Sequence, residues 1–330
     1  MGFHRTGKVQ SVACYEYNEI FAQTLEYNLD RLINRNSNSC PEIFVADLSD
    51  EALMSALIKK WSGADIVFGG PPCQSFSIMG KTVEGKKLGI NDPRGSLIYS
   101  YLKVIDGVKP RAFLFENVPN IVNIDDGGVV KFLQSQFIDM GYSIWSGILC
   151  AADFGAYTFR KRFFTIGLRG EVEIEAPQPT HSEHGQLNLF SDNLEKWKKC
   201  GVVFEELENA ISQGREIHNH EKTTHNLKTI ERFSKLEFGE TDNVRKRNRI
   251  NPHGAAHSIY VGGVIGKLQA RPHIHPYEPR ELTARECAMI QGFPIDWKIA
   301  GPQDAALLQA ANAVPVQLAE ALANHICAYL

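Results

Sequence analysis

The sequence is organised around one stretch, FGGPPCQSFS at residues 68–77. It follows the short apolar run at residues 64–67, which is long enough for one buried strand. Two glycines and two prolines stop that strand, because proline lacks an N–H and biases the residue before it to extended geometry. We therefore predict a stiff loop with Cys73 at its tip, at the carboxyl end of a parallel strand, where open α/β sheets bind ligands. Cys73 is a candidate nucleophile, and an inert buried thiol is the alternative.

Composition bounds the class of protein. The 330 residues suffice for one large domain or two smaller ones, and an apolar fraction of 43% is ordinary for a globular core. A net charge of −3 argues against a protein that coats nucleic acid non-specifically, so a DNA binder must concentrate its basic residues on one face. The seven cysteines form no CxxC pair, which argues against a disulfide framework or a zinc site. With no long apolar run, we predict a soluble cytoplasmic protein.

The first hundred residues carry a βαβ pattern. Residues 10–14 form a predicted strand with Glu16 just after it, and Asn18 caps a predicted helix that runs to about residue 29. Residues 42–46 form the next predicted strand, which ends at Asp47. Two strands joined by a helix, each followed by a carboxylate, indicate a doubly wound sheet. Such carboxylates suit ribose hydroxyls; solvated strand ends are the alternative.

The remaining predicted elements continue this alternation. Thr283, with Glu286 three residues later, predicts a capping box. Histidines in the middle of the chain match no zinc signature and are interpreted as solvated loop residues. Leu318, Leu322 and Ile326 predict the buried face of a final helix. Helices are predicted at residues 51–61, 97–104, 129–140 and 202–211, and strands at residues 111–116, 143–149 and 162–168.

Five ordered motifs carry a family resemblance. They are PPCQ followed by SFS at residues 71–77, ENVP at 116–119, RKR at 160–162, RELTARE with QGFP at 280–294, and NAVP at 312–315. In this order they resemble the DNA cytosine-5 methyltransferases of bacterial and phage restriction–modification systems. The resemblance implies a Rossmann-like, S-adenosylmethionine-dependent catalytic domain, residues 1–170 plus about 303–330. It also implies a smaller target-recognition domain with a motif-bearing connection, residues 171–302.

The resemblance assigns catalytic roles. Cys73 would add to C6 of a flipped-out cytosine, and Glu116 would protonate or hydrogen-bond N3. Arg162, together with Arg160, would hold the O2 side of the base. At residue 158 the family usually has glutamine and this chain has threonine, which affects one hydrogen bond rather than the chemistry.

The resemblance also implies ligands and partners. S-adenosylmethionine is the expected methyl donor, with no metal. Glu16 would bind its ribose, Tyr17 would lie along its adenine, and Asp47 would meet the adenine amino group. Further cofactor contacts are expected from Leu48, Pro72, Leu97, Asn312 and Val314. Double-stranded DNA is the expected partner of a monomeric enzyme, alongside a cognate restriction endonuclease. The expected DNA contacts are Gln74, Ser75, Arg245, Lys246, Arg247 and Arg249, the last four through phosphate.

Two features of the sequence leave alternatives open. The family opens with a strand and a Phe-x-Gly-x-Gly turn, whereas residues 1–4 resemble the far end of the helix after that turn. We therefore expect weak cofactor binding and an interrupted sheet. Ala311 stands where the family has glycine, and it would be strained if that position needs a positive φ. The alternatives to an active DNA methyltransferase are a truncated relative that only binds DNA or needs a second chain, and an RNA cytosine-5 methyltransferase.

Overall fold

The computed structural model describes residues 1–29, 40–72, 96–185, 194–262 and 269–330. Its strands are β1 Ala13–Glu16, β2 Glu42–Val45, β3 Ile66–Gly69, β4 Ala112–Asn117, β5 Tyr142–Cys150, β6 Lys161–Arg169, β7 His181–Ser182, β8 Glu195–Lys196, β9 Tyr260–Gly262 and β10 Gln269–Arg271. Its helices are α1 Gly2–Arg5, α2 Glu19–Glu26, α3 Glu51–Lys60, α4 Ser96–Val108, α5 Gly128–Asp139, α6 Gly201–Ser212, α7 Leu227–Ser234, α8 Ala284–Ile290, α9 Gln303–Asn312 and α10 Val316–Cys327.

The chain divides into two compact units, each assembled from separate segments. The first unit comprises Met1–Val45, Cys150–Arg160 and Gln178–Asn324. The second unit comprises Ala46–Leu149, Lys161–Pro177 and His325–Leu330. These boundaries group the residues differently from the predicted domains, because β1, β2 and most of α10 cluster with residues 178–324. The predicted division into catalytic and target-recognition domains remains a prediction about function.

The second unit contains a mixed sheet with strand order β3-β4-β6-β5. β3 and β4 are parallel, and β4 and β6 are antiparallel, with Glu116 opposite Phe164. Helices α4 and α5 pack on this sheet through a core that includes Ile98, Ile105, Phe113 and Phe137. The near-continuous burial of β4 and β6 fits central strands covered on both faces.

The first unit contains the parallel pair β1–β2, joined through α2 as predicted. Asn18 caps α2, and its side chain accepts hydrogen bonds from the backbone N–H groups of Ile20 and Phe21. In the part of the chain that the structure describes, β1 and β2 form a two-stranded sheet of their own. The unit's main hydrophobic core is built from α6, α8 and α9 and includes Phe204, Leu207, Cys287 and Trp297.

Buried polar side chains join the two ends of the first unit's sequence. The Thr24 hydroxyl donates to Gln309 Oε1 and accepts a hydrogen bond from the Ala300 N–H, at 2.9 Å. The Asn28 side chain both donates to the carbonyl of Lys298, at 2.7 Å, and accepts from its N–H, at 3.1 Å. Helix α2 and the turn after it are therefore fixed by residues 270–285 positions later in the chain.

Several predicted elements are confirmed, with small shifts at their ends. The helices near residues 51–61, 129–140 and 202–211 and the strands near 42–46, 111–116, 143–149 and 162–168 are all present. The predicted strand at 10–14 lies slightly later, so that Glu16 is its last residue. Residues 2–5 are helical, as the resemblance implied. Leu318, Leu322 and Ile326 are fully buried. Across the described ranges, no helix is both long and apolar enough to cross a membrane.

The predicted capping box of α8 is confirmed and lies inside a buried ionic cluster. Thr283 accepts from the N–H of Glu286, and the Glu286 carboxylate accepts from the N–H of Thr283. The Arg280 guanidinium donates to both oxygens of Glu286, at 2.7 and 2.9 Å. Burial of Glu286 is thereby compensated, since its pKa stays below its ordinary value despite the desolvation, owing to Arg280.

The interpretation of the mid-chain histidines as solvated is wrong for His181 and His220. The His181 side chain is only 9% exposed, and so is that of His220, whose Nδ1 lies 3.0 Å from the Thr283 hydroxyl. Each ring packs inside the first unit rather than on a loop surface. Periodicity missed them because each lies in irregular or very short structure, where no repeat reports burial.

His275 belongs to the buried ionic cluster of Arg280 and Glu286, since its Nε2 lies 3.5 Å from Glu286 Oε1. Its surroundings predict a pH dependence of stability. Its Nδ1 accepts the backbone N–H groups of Tyr277 and Glu278, and burial lowers its pKa to about 4. Between about pH 6.5 and pH 4 the unfolded chain binds a proton that the folded chain does not. The free energy of unfolding should therefore decrease as the pH falls through this window, by up to about 3 kcal/mol.

Replacement of His275 by asparagine should flatten this dependence, because the Asn Oδ1 retains the acceptor at the Nδ1 position without titrating. Urea denaturation of wild type and His275→Asn at a series of pH values measures the effect. The same series on His253→Asn, which removes an exposed ring, is the matched control. Equal slopes for wild type and His275→Asn would contradict the assignment.

Candidate active site

The centre of the candidate site is an ion pair between neighbouring strands. Glu116 lies near the end of β4, and Arg162 lies near the start of the antiparallel strand β6. Because Glu116 is opposite Phe164, Arg162 is its diagonal neighbour on the same face of the sheet. Glu116 Oε1 lies 2.9 Å from Arg162 Nε, and the two side chains are 20% and 15% exposed. The sheet register therefore builds the pair that the sequence motifs predicted only as separate residues.

The Arg162 guanidinium is a partly desolvated charge that the Glu116 carboxylate stabilises. Burial lowers the pKa of Arg162, and the Glu116 carboxylate counteracts that effect. Arginine nonetheless stays protonated at any working pH. Its Nη1 donates to the carbonyl of Lys161, at 2.8 Å. The carboxylate and the guanidinium therefore hold each other in one orientation in a place largely shielded from water.

The end of β3 lies directly against Glu116. A Cβ atom on Gly70 would lie 2.5 Å from Glu116 Oε2, which no ordinary contact allows. Glycine at this position lets the carboxylate approach the backbone that leads to residues 71–73. The side chain of the next residue on β4, Asn117, donates to the carbonyl of Pro71, at 2.9 Å. The two motifs, separated by more than 40 residues of sequence, therefore meet at this edge.

Three predicted site residues lie outside the described residues. They are Cys73, Gln74 and Ser75. The nucleophile and its two neighbours thus remain predictions from the sequence, and Pro72 is the last described residue before them.

Arg160 lies deep in the first unit, 1% exposed. Its Nη1 and Nη2 donate to the carbonyls of Ile259 and Ala311. This places its guanidinium among backbone carbonyls, where it fixes the segment before the NAVP motif. Its predicted contact with the base remains a prediction.

The two departures from the family pattern are accommodated. Thr158 is buried, 1% exposed, and forms a bridge with Ala256. Ala311 lies within α9 and is not among the described residues with a positive φ. The strain anticipated for alanine at this position is therefore absent from the structure.

The predicted cofactor residues of the first unit lie near the ends of β1 and α9. Glu16 ends β1, and its Oε1 accepts the N–H of Asn18, at 2.8 Å. The Tyr17 ring is 75% exposed, which is unusual for a large aromatic side chain. Asn312, the last residue of α9, is exposed, and Val314 is half-buried just after it. An exposed ring beside a strand-end carboxylate fits the adenine and ribose of a nucleoside.

The predicted cofactor residues of the second unit follow β2 and β3 in sequence or begin α4. Asp47 Oδ1 accepts hydrogen bonds from the hydroxyl and the N–H of Ser49, at 2.7 and 2.9 Å, and these bonds lower its pKa. Leu48 and Leu97 are half-buried, and Pro72 is exposed. Asp47 therefore offers an ionised acceptor at neutral pH, which suits an amino or hydroxyl donor. Within the described ranges, no three His, Cys, Asp or Glu side chains are grouped to hold a metal ion.

The basic run near residue 245 divides into different environments. Arg249 donates from Nε and Nη1 to the carbonyls of Pro276 and Leu236, at 2.9 and 2.7 Å. Two further arginines face Glu281: Arg245 Nη1 lies 3.2 Å and Arg247 Nε lies 3.7 Å from Glu281 Oε1. Lys246 is exposed and has a positive φ of 54°. Among the four predicted phosphate contacts, Lys246 is therefore the side chain best placed to reach a partner at no structural cost.

This division predicts different outcomes for neighbouring substitutions. Lys246→Gln should weaken DNA binding on all sequences and reduce the log–log salt slope by about one, with stability changed by less than about 0.5 kcal/mol. Arg249→Ala should lower the free energy of unfolding by about 1–3 kcal/mol, because two carbonyls lose their donor. Fluorescence anisotropy across a salt series and urea denaturation measure the two effects. Lys228→Gln, on the exposed face of α7, is the control. An unchanged salt slope for Lys246→Gln would contradict the phosphate contact.

Comparison with known proteins gives the family. The model of the C-5 cytosine-specific DNA methylases matches residues 1–328. The chain belongs to this family. A type II methyltransferase of Haemophilus parahaemolyticus, M1.HphI, is 32% identical over 84% of the chain and 72% of its own length. Another, M.FnuDI of Fusobacterium nucleatum, is 26% identical over 99% of the chain and 90% of its own length.

Solved structures give the same fold. A DNA modification methyltransferase encoded within an E. coli prophage superposes with a TM-score of 0.69 at 23% identity, covering 99% of this chain and 95% of that one. The Dnmt2 methyltransferase of S. pombe superposes with a TM-score of 0.62 at 15% identity, covering 99% and 96%. The chain is thus a DNA cytosine-5 methyltransferase of the restriction–modification type, with a Rossmann-like α/β fold.

Membership of the C-5 cytosine-specific DNA methylases confirms the sequence-based recognition. The family implies S-adenosylmethionine as methyl donor and DNA as substrate. The individual site residues remain predictions, supported to different degrees by the geometry described above. Sequence reasoning missed two residues of the site, Gly70 and Asn117. Each is part of a quoted motif, FGGPPC or ENVP, and the signal was their position next to a predicted catalytic residue.

Proposed function

We propose that this protein transfers a methyl group from S-adenosylmethionine to C5 of a cytosine flipped out of double-stranded DNA at a specific sequence. The reaction proceeds through a covalent intermediate on Cys73. The observation that carries this proposal is the Glu116–Arg162 pair, held at 2.9 Å beside the backbone of Gly70. That backbone leads within three residues to the predicted nucleophile.

The chemistry explains why a thiol is needed. Cytosine C5 is a poor nucleophile until a group adds to C6, and addition of the Cys73 thiolate there makes C5 enamine-like. A free cysteine has a pKa of about 8.5 and is only a few per cent thiolate at neutral pH, so a basic surrounding must assist. After C5 is alkylated, loss of its proton restores the ring double bond, and the bond between C6 and Sγ breaks. The thiolate is thereby regenerated.

Glu116 and Arg162 act on the other side of the ring. Charge develops on N3 and O2 as the thiolate adds, and a group that donates to N3 lowers that barrier. Glu116, carrying a proton when the base is bound, donates that proton or a hydrogen bond to N3, and Arg162 orients the Glu116 side chain and holds the O2 side. Both side chains are largely buried, so their interactions with the base are stronger than they would be in water. Arg160 is the second proposed contact to the O2 side of the base.

The cofactor supplies the electrophilic methyl group when it is bound. Glu16 and Asp47 offer carboxylates for its ribose hydroxyls and adenine amino group, and the exposed Tyr17 ring offers an adenine contact. Leu48, Pro72, Leu97, Asn312 and Val314 complete the proposed contacts. This chain's own residues therefore bind and orient the nucleoside part.

Access to the base requires DNA distortion. A cytosine inside a duplex exposes neither C5 nor C6 to a thiol and a methyl donor together, so it must rotate out of the stack, at a cost of a few kcal/mol. Residues 171–302 are proposed to select the sequence, and Gln74 and Ser75 to contact the DNA near the flipped base. The relatives named as type II methyltransferases favour a companion restriction endonuclease, and we propose that the methyltransferase itself acts as a monomer.

DNA carrying 5-fluorocytosine tests the proposal. Fluorine cannot leave C5 as a proton does, so the protein should become covalently attached to the DNA in the presence of S-adenosylmethionine. A denaturing gel measures the adduct, and the same duplex with ordinary cytosine is the control. If the protein methylates a sequence that carries ordinary cytosine but forms no adduct with the same sequence carrying 5-fluorocytosine, the covalent mechanism is contradicted. Adduct formation on RNA that contains 5-fluorocytosine, instead of on DNA, would favour the RNA alternative.

A further inference from the structure

The amide of Asn117 forms a pair of hydrogen bonds at the end of β4. Asn117 is the last residue of this strand and is 4% exposed. Its Nδ2 donates to the carbonyl of Pro71, at 2.9 Å, and its Oδ1 accepts the N–H of Val118, at 2.9 Å. If the amide were reversed, Oδ1 would face the Pro71 carbonyl oxygen and the Nδ2 group would face the Val118 N–H, so both hydrogen bonds would be lost. The two bonds therefore fix the side chain in one orientation.

This side chain continues the β3–β4 ladder beyond the point where the backbone ladder stops. The last backbone pair places Gly69 opposite Phe115. In the same register Gly70 follows opposite Glu116, and a Cβ there would lie 2.5 Å from the Glu116 carboxylate. Pro71 comes next, opposite Asn117. Pro71 and Pro72 have no N–H to donate to β4, and the Asn117 side chain instead donates to the carbonyl that Pro71 retains.

We propose that Asn117 is a positioning residue that holds the carbonyl of Pro71, and through it the backbone from which Cys73 follows two residues later. The inference rests on the proposed function, because it assigns Asn117 a task only if Cys73 is the nucleophile. Asn117 also adjoins Glu116 in the chain. One buried amide thus couples the strand end that carries the acid to the segment that carries the thiol.

The size of the expected effect follows from the geometry of addition. A thiolate adds to C6 only within a narrow range of distance and angle, and a displacement of about 1 Å costs roughly 10²-fold in rate. Two consecutive prolines transmit the position of Pro71 stiffly, since each fixes its own φ near −65°. Loss of the Asn117 donor should therefore lower the rate of methyl transfer while leaving DNA binding largely unchanged.

The decisive variant is Asn117→Asp. Aspartate is isosteric and keeps the acceptor for the Val118 N–H, but its ionised carboxylate has no proton to donate to the Pro71 carbonyl. We expect the single-turnover rate of methyl transfer to fall about 10- to 100-fold, with KM for DNA changed less than about 3-fold. The deficit relative to wild type should shrink as the pH is lowered from about 8.5 to about 6, because burial at this position raises the pKa of the introduced carboxyl and its protonated form can donate to the Pro71 carbonyl. The single-turnover rate constant reports on the folded protein even if some of the variant is unfolded.

Asn120→Asp is the matched control, since it adds the same charge three residues later at an exposed position. It should leave the rate within about 2-fold of wild type at every pH. An unchanged rate for Asn117→Asp or a change confined to KM would each overturn the positioning role. Failure of the wild type to form the 5-fluorocytosine adduct would overturn the proposed function, and the inference with it. The two failures are therefore distinguishable.

Discussion

Cys73→Ser is expected to abolish methyl transfer, by on the order of 10³-fold or more. A serine hydroxyl is almost entirely protonated at neutral pH and is a much weaker nucleophile than a thiolate, so addition to C6 should stop. Incorporation of radioactive methyl groups into target DNA measures the loss. Because the substitution replaces one atom, binding of the same DNA in a gel-shift assay should remain within about 3-fold of wild type.

The control for this prediction is Cys40→Ser, at an exposed free thiol of the first unit. It should retain wild-type activity and form the 5-fluorocytosine adduct, whereas Cys73→Ser should form none. Substantial methylation by Cys73→Ser would show that another group attacks C6. Loss of activity in both variants would indicate a general sensitivity to removal of a thiol.

Glu116→Gln is expected to lower the rate of methyl transfer by roughly 10²- to 10⁴-fold, the contribution typical of a general acid. Glutamine keeps the size of the side chain and an oxygen that can accept from Arg162 Nε, now at 2.9 Å from Glu116 Oε1. It loses the ability to transfer a proton to N3 and leaves the desolvated Arg162 cation without a counter-charge. Single-turnover methylation with saturating DNA isolates this chemical step from binding.

Glu171→Gln, at an exposed residue just after β6, is the matched control and should change the rate by less than about 2-fold. The comparison with Arg162→Gln separates two roles for the ion pair. If Arg162 only orients Glu116, the double variant should be no slower than Glu116→Gln alone. A Glu116→Gln enzyme with wild-type single-turnover rates would contradict the assignment of Glu116.

The sequence predicted the strands and motifs of the site better than its contacts. The strand at residues 111–116 and the acid at its end followed from an apolar run and a motif, both of which are local. The Glu116–Arg162 contact depends on the antiparallel register of β4 and β6, which no local pattern specifies. The same holds for Gly70, whose missing Cβ matters only because Glu116 lies opposite. Contacts between side chains on neighbouring strands therefore cannot be predicted until the strand pairing is known.

Charge runs were the least informative part of the sequence. Residues 245–249 suggested one basic surface, yet Arg249 satisfies carbonyls and Arg245 and Arg247 face Glu281. Composition cannot distinguish a guanidinium that binds a partner from one that supports a turn, since both are arginine. Arg160 illustrates the same point inside the first unit.

The expected weak affinity for S-adenosylmethionine remains a prediction, which calorimetric titration would test.

The hydrogen bonds that join helix α2 to the far end of the sequence have a consequence for synthesis on the ribosome. Thr24 and Gln309 are separated by 285 residues, so at roughly 5–20 residues per second the partner of Thr24 emerges about 14–57 s later. The strands of the second unit are complete by Arg169, well before that time. The nascent chain should therefore gain its four-stranded sheet while α2 still waits for its buried partners. During that interval the amphipathic α2 is a natural target for chaperones, and slow codons after position 170 would lengthen its exposure.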